Sequence, residues 1–85
     1  MKTISYIIKD ELGLHARPAG KIVKFLKSFS GEVKIGGADK MVDGKRIIGV
    51  MSLALKQGDT LIMTFEGEGE DTFAEETLKY LQEEL

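Results

Sequence analysis

Apolar residues recur at every second position near the N-terminus and at every third or fourth position from Pro18 onward, so the chain must alternate strands with helices. Ile4, Tyr6 and Ile8 point one way and Thr3, Ser5 and Ile7 the other, which makes a half-buried strand. Asp10-Glu11-Leu12-Gly13 breaks it. Ala19, Ile22, Val23, Leu26 and Phe29 then fall at helical spacing, with Lys21, Lys24 and Lys27 on another face. Pro18 suits the first turn of that helix, where its missing N–H costs nothing, and Ser30-Gly31 ends it. Residues 32–35 and 40–42 read as two strands joined by the hairpin signal Gly36-Gly37-Ala38-Asp39, followed by a turn at Asp43-Gly44.

Residues 47–55 form a short apolar segment closed by Gln57-Gly58-Asp59. Residues 60–66 alternate again, with Leu61, Met63 and Phe65 on one face. A last helix starts near Asp71, which can cap its first turn, and turns Phe73 or Ala74, Thr77, Leu78 and Leu81 inward. The order is β-α-β-β-α-β-α in 85 residues, enough for one domain over residues 1–85. The hairpin requires antiparallel pairing. The predicted class is α+β, two layers, with helices on one face of a single sheet and the other face wet.

Composition narrows the chemistry. There is no cysteine and only one histidine, which excludes a disulfide scaffold, a thiol nucleophile and a multi-histidine metal site. No apolar run approaches the ~18 residues of a membrane span, and the N-terminal apolar stretch is too short for a signal sequence. The expected location is the cytoplasm. Residues 1–58 carry eleven Lys/Arg against five Asp/Glu, whereas residues 59–85 carry one Lys against nine acids, so a net charge of −2 conceals a dipolar chain. That suits docking of a basic face on an acidic partner, although two solvated faces on an ordinary domain would look the same.

The middle segment has more apolar residues than a short helix needs. Ile47, Val50 and Ala54 make one stripe; Ile48, Met51 and Leu55 make its neighbour. With Lys45, Arg46 and Lys56 around it, the second stripe reads equally as core or as an exposed docking patch.

A lone histidine reads first as a surface or structural residue. His15, however, stands at a loop-to-helix junction, directly before Ala16-Arg17-Pro18. Helix N-termini offer unpaired amides and a positive dipole end, and the Arg17 guanidinium adds a charge that an anion would favour. Ala16 and Ala19 keep the surroundings small, and Pro18 restricts Arg17 to an extended backbone. A hydrolytic triad and metal-assisted chemistry both lack residues. Phosphoryl transfer to an imidazole nitrogen needs only an in-line nucleophile and charge stabilisation. There is no Gly-x-x-x-x-Gly-Lys loop for a nucleotide. These are the requirements of a carrier, with no cofactor and no metal.

Gly13-Leu14-His15-Ala16-Arg17-Pro18-Ala19 followed by Ile47-Ile48-Gly49-Val50-Met51-Ser52-Leu53 resembles the HPr family, the histidine-containing phosphocarriers of the bacterial phosphoenolpyruvate-dependent sugar phosphotransferase system. The similarity spans the whole chain in length, element order and motif spacing. It implies an open-faced β-sandwich, a four-stranded antiparallel sheet of order 1-4-2-3 with three helices on one side. It implies that His15 accepts phosphate at Nδ1 from phosphorylated enzyme I, assisted by Arg17 and the Ala16 and Arg17 backbone, and passes it to the IIA domain of a sugar permease. The implied docking face holds Ala16, Arg17, Gly20, Lys24, Lys27, Ile48, Gly49 and Met51, which favours the docking reading of the second stripe. The family also implies a monomer, and the composition leads us to expect no nucleic acid partner and no membrane insertion.

Two positions depart from the family. Where many members from low-GC Gram-positive bacteria carry a serine phosphorylated by HPr kinase, this chain has Arg46, so no serine switch is expected there. Ser52 lies further on and is no obvious substitute. Gly20 replaces a larger residue and weakens the first helix by about 0.5–1 kcal/mol relative to alanine. A regulatory paralogue acting as a protein-binding module is the alternative; it would not need His15 and would more naturally keep a serine at position 46. A small RNA-binding α+β domain is disfavoured by six aromatics in all and an acidic final third.

Overall fold

The computed structural model describes residues 1–85. Seven elements follow in order: β1 (Lys2–Ile7), α1 (Ala16–Leu26), β2 (Glu32–Gly36), β3 (Met41–Asp43), α2 (Ile47–Met51), β4 (Thr60–Glu66) and α3 (Glu70–Glu84). They match the expected order. The sheet runs β1-β4-β2-β3, and every pairing is antiparallel.

Register follows from the alternation. Ile4 pairs with Met63 and Tyr6 with Leu61, while Val33 pairs with Phe65 and Ile35 with Met63, so the inward residues of three strands form continuous rows. Leu61, Met63 and Phe65 are fully buried on the central strand β4. Ile22, Leu26 and Ala19 of α1, Val50 of α2 and Ala74 and Leu81 of α3 cover them. Thr3, Ser5 and Ile7 on β1 and Glu32 and Lys34 on β2 face solvent, giving the single covered face that the alternation predicts.

Several boundaries differ from expectation. Helix α1 stops at Leu26, short of Ser30, because the Ser28 hydroxyl and N–H both donate to the Phe25 carbonyl and turn the chain. Phe29 is thereby carried onto Phe73, stacked at 4.7 Å, and edge-on to Phe65. Phe25 stacks on Tyr80 at 4.5 Å, joining α1 to α3 through an aromatic contact the periodicity did not reveal.

Helix α2 is only five residues long. Ala54 adopts φ 51°, so Leu53 and Leu55 turn to the core and Ala54 faces solvent, reversing the expected roles of Ala54 and Leu55. Asp71 does not cap α3. Gly69, at φ 79°, occupies that position, and the Glu70 side chain accepts the Gly67 N–H at 3.1 Å. Thr77, fully buried, donates its hydroxyl to the Phe73 carbonyl at 2.8 Å.

Candidate functional site

The turn from Asp10 to Gly13 is built before the helix it feeds. The Asp10 carboxylate accepts the Leu12 N–H at 2.9 Å, an Asx turn, and the Asp10 carbonyl accepts the Gly13 N–H at 2.9 Å. Gly13 has φ 66°, and a Cβ there would collide with the Leu55 carbonyl. Leu14, buried, donates its N–H to that carbonyl at 2.9 Å. The loop before His15 is thus clamped to the segment that follows α2.

His15 is the N-cap of α1, with extended backbone at φ −96° and ψ −179°. Its carbonyl accepts the Ala19 N–H at 3.0 Å, and its ring makes no capping hydrogen bond. The Ala16 and Arg17 amides open the helix and have no intrahelical acceptor. Pro18 has no N–H to leave unpaired and is buried, pinning the first turn to the core; Arg17 before it lies within α1 and is helical, not extended as expected. The His15 side chain is 32% exposed, and the Arg17 residue is exposed beside it. None of the molecule's cavities is lined by either residue. Two unpaired N–H donors and the positive end of an eleven-residue helix thus lie directly after His15, with the exposed Arg17 in the same first turn.

Asp10 was not anticipated as part of this site. Its Oδ2 lies 3.6 Å from His15 Nε2, an ion pair whenever the imidazole is protonated. Asp10 at the head of a turn is a sequence signal, but its approach to His15 exists only once the turn closes.

Of the expected docking residues, Gly20 and Lys24 are exposed on α1 and Lys27 just past its end; Ile48 is 83% and Met51 37% exposed on α2, which packs against α1. Lys27, Ile48 and Gly49 line one shallow groove with Arg46 and Lys45. Ile47, assigned to the inner stripe, is itself 40% exposed and extends the patch. Gly49 is half-buried, and a Cβ there would meet Val42 at 3.6 Å.

Lys45 is not part of an open basic rim: its ammonium turns inward to the Phe29 and Gly31 carbonyls, tying the start of α2 to the end of α1. Arg46 precedes α2 without a side-chain cap and pairs with Asp43 at 3.4 Å. Ser52 caps the other end of α2, its hydroxyl donating to the Gly49 carbonyl at 2.6 Å.

No group of three or more His, Asp or Glu side chains is arranged to hold a metal ion. No helix is long and apolar enough to cross a membrane.

Comparison with known proteins gives a consistent result. The family described as "PTS HPr component phosphorylation site" matches residues 2–83. Phosphocarrier protein HPr of Lysinibacillus sphaericus is 42% identical over 71 residues, 84% of this chain and 81% of that one. The crystal structure of HPr-C-His from Thermoanaerobacter tengcongensis superposes with a TM-score of 0.91 at 32% identity, covering 99% of this chain and 94% of that one. The swapped dimer of Crh, the Bacillus subtilis catabolite repression containing protein, aligns with a TM-score of 0.75 at 35% identity over 92% and 90% of the two chains. With a matched motif, strand order and element count behind it, the chain belongs to the HPr family of phosphotransferase-system phosphocarriers.

Proposed function

We propose that this chain is a cytoplasmic phosphocarrier that accepts a phosphoryl group on His15 from phosphorylated enzyme I and hands it to the IIA domain of a sugar permease. The observation that carries this reading is the placement of a one-third-exposed His15 as the N-cap of α1, followed by the free Ala16 and Arg17 amides of the first turn. The imidazole Nδ1 lone pair attacks phosphorus in line, and the donor nitrogen leaves with the electron pair of the broken P–N bond. The helix-terminal amides and Arg17 then hold the dianion. The reverse exchange with a second protein needs the same face. The carrier works as a monomer, with the patch around Ile48 and Met51 as the docking surface.

The likeness to Crh, named for catabolite repression, keeps a second reading in view: a regulatory paralogue acting as a protein-binding module. His15 retained beside an intact helix start weighs against it, as does Arg46 where a regulatory serine would stand.

Incubation with phosphoenolpyruvate and enzyme I, followed by phosphorus NMR, tests the proposal. An acid-labile, alkali-stable phosphohistidine signal that disappears in His15→Ala is the expected result. A wild-type chain that stays uncharged while a control HPr is phosphorylated in parallel would overturn it in favour of the binding module.

A further inference from the structure

We propose that Asp10 is a positioning residue for His15: its carboxylate holds the neutral imidazole as the Nε2–H tautomer and leaves the Nδ1 lone pair available, an inference that rests on the carrier reading above. Asp10 is unusually well fixed for a loop residue. Its N–H donates to the Leu85 carbonyl at 2.8 Å, its own carbonyl accepts the Gly13 N–H, and its Oδ1 accepts the Leu12 N–H. With three of its polar groups committed, the remaining oxygen, Oδ2, stands 3.6 Å from Nε2. Both side chains are about one-third exposed, at 30% and 32%, so solvent screens the pair only in part.

A carboxylate facing a ring nitrogen favours a proton there and disfavours a lone pair or a phosphoryl dianion. Nε2 is therefore the protonated nitrogen and Nδ1 the nucleophile. As Nδ1 forms the new N–P bond, Nε2 keeps its proton and the ring becomes cationic; the donor imidazole, protonated on its other nitrogen and cationic while phosphorylated, keeps the electron pair of the bond that breaks and departs neutral. The Asp10 carboxylate faces the cation that this step creates. At 3.6 Å the contact is electrostatic rather than a formed hydrogen bond. Contacts of this kind tighten as charge develops.

Asp10→Asn tests the assignment. Its amide oxygen can still accept the Leu12 N–H, so the turn stands, and a thermal melt checks that it does. Its amide N–H₂ would instead offer a donor to Nε2. Nitrogen-15 NMR of the uncharged, neutral ring should show predominantly Nε2–H in the wild type and a gain of Nδ1–H in the variant. Phosphate acceptance should slow about two- to fivefold, the size of a partly screened ion pair, with unchanged affinity for the donor protein.

Identical tautomer populations in the two proteins would overturn the proposal, and so would a tautomer shift with no change in rate. The tautomer measurement needs no partner. It therefore still decides whether Asp10 governs the ring if no donor charges His15, the separate outcome that would sink the carrier reading.

Discussion

Gly13 and Leu55 meet backbone to backbone: the Leu55 carbonyl occupies the space a Gly13 side chain would need, and it accepts the Leu14 N–H at 2.9 Å. The loop presenting His15 is thereby registered against the segment after α2. Gly13→Ala combines a left-handed backbone with a collision against main-chain atoms that cannot rotate away. We expect a loss of about 2–4 kcal/mol in urea denaturation. Phosphate acceptance should fall under conditions where the variant is still fully folded. A variant as stable as the wild type would show that the two segments separate freely.

The residue before Leu55 holds strain of its own. Ala54 lies at φ 51°, where an L-residue costs about 1–2 kcal/mol. Ala54→Gly should recover roughly 1 kcal/mol of folding stability, less the entropy that glycine adds to the unfolded chain. The midpoint of urea unfolding should rise with an unchanged slope.

Gly20 is exposed on α1, and nothing lies within 4 Å of where its Cβ would be. Gly20→Ala should therefore stabilise the helix by about 0.5–1 kcal/mol. Its effect on partner affinity is a separate readout. Tighter packing of a partner against that bare backbone would appear as weaker binding despite greater stability.

Ile48 contributes almost nothing to the core, being 83% exposed. Ile48→Glu should leave the melting temperature within a degree or two. If α2 is the docking surface, transfer from enzyme I should fall by about tenfold or more, chiefly through affinity. Unchanged transfer would move the interface off α2.

Glu70 accepts both the N-terminal ammonium of Met1, at 2.9 Å, and the Gly67 N–H. The hydrogen bond to the ammonium, then that to Gly67, hold the Glu70 carboxyl below 4.5, and Glu70 holds the ammonium above 8.0. A depressed carboxyl stabilises the fold above its unfolded value and loses that contribution as pH falls through the folded one. A raised ammonium stabilises below its unfolded value and loses it as pH rises through the folded one. The contact is therefore fully present between about 4.5 and 8.0. Glu70→Gln keeps an acceptor for Gly67. Its stability deficit should be largest in that window and vanish on both sides, which denaturation across a pH series would resolve.

Much of this architecture is legible in the sequence because burial on one face writes itself as a period. Leu61, Met63 and Phe65 had to share a face, and so did Ile22 and Leu26; the structure buries all five. His15 and Arg17 were legible through Pro18, which marks a helix start. Hidden were the places where one hydrogen bond or one backbone angle ends an element. The Ser28 hydroxyl stops α1 early, and φ at Ala54 exchanges the roles of Ala54 and Leu55. Both depend on competition between local conformations that a periodic reading treats as equivalent. Lys45 looked like a surface cation, yet the fold brings two carbonyls to its ammonium. Asp10 belongs to the same class, since its partner lies across a turn.

The His15 side chain is one-third exposed and lines no cavity. On the carrier reading proposed above, His15 would bring no walls of its own to the transfer, and shielding of the moving group would come from the hollow of each partner that receives it. A single partly exposed key would then turn in several locks, with the choice among them made by the shapes of the locks.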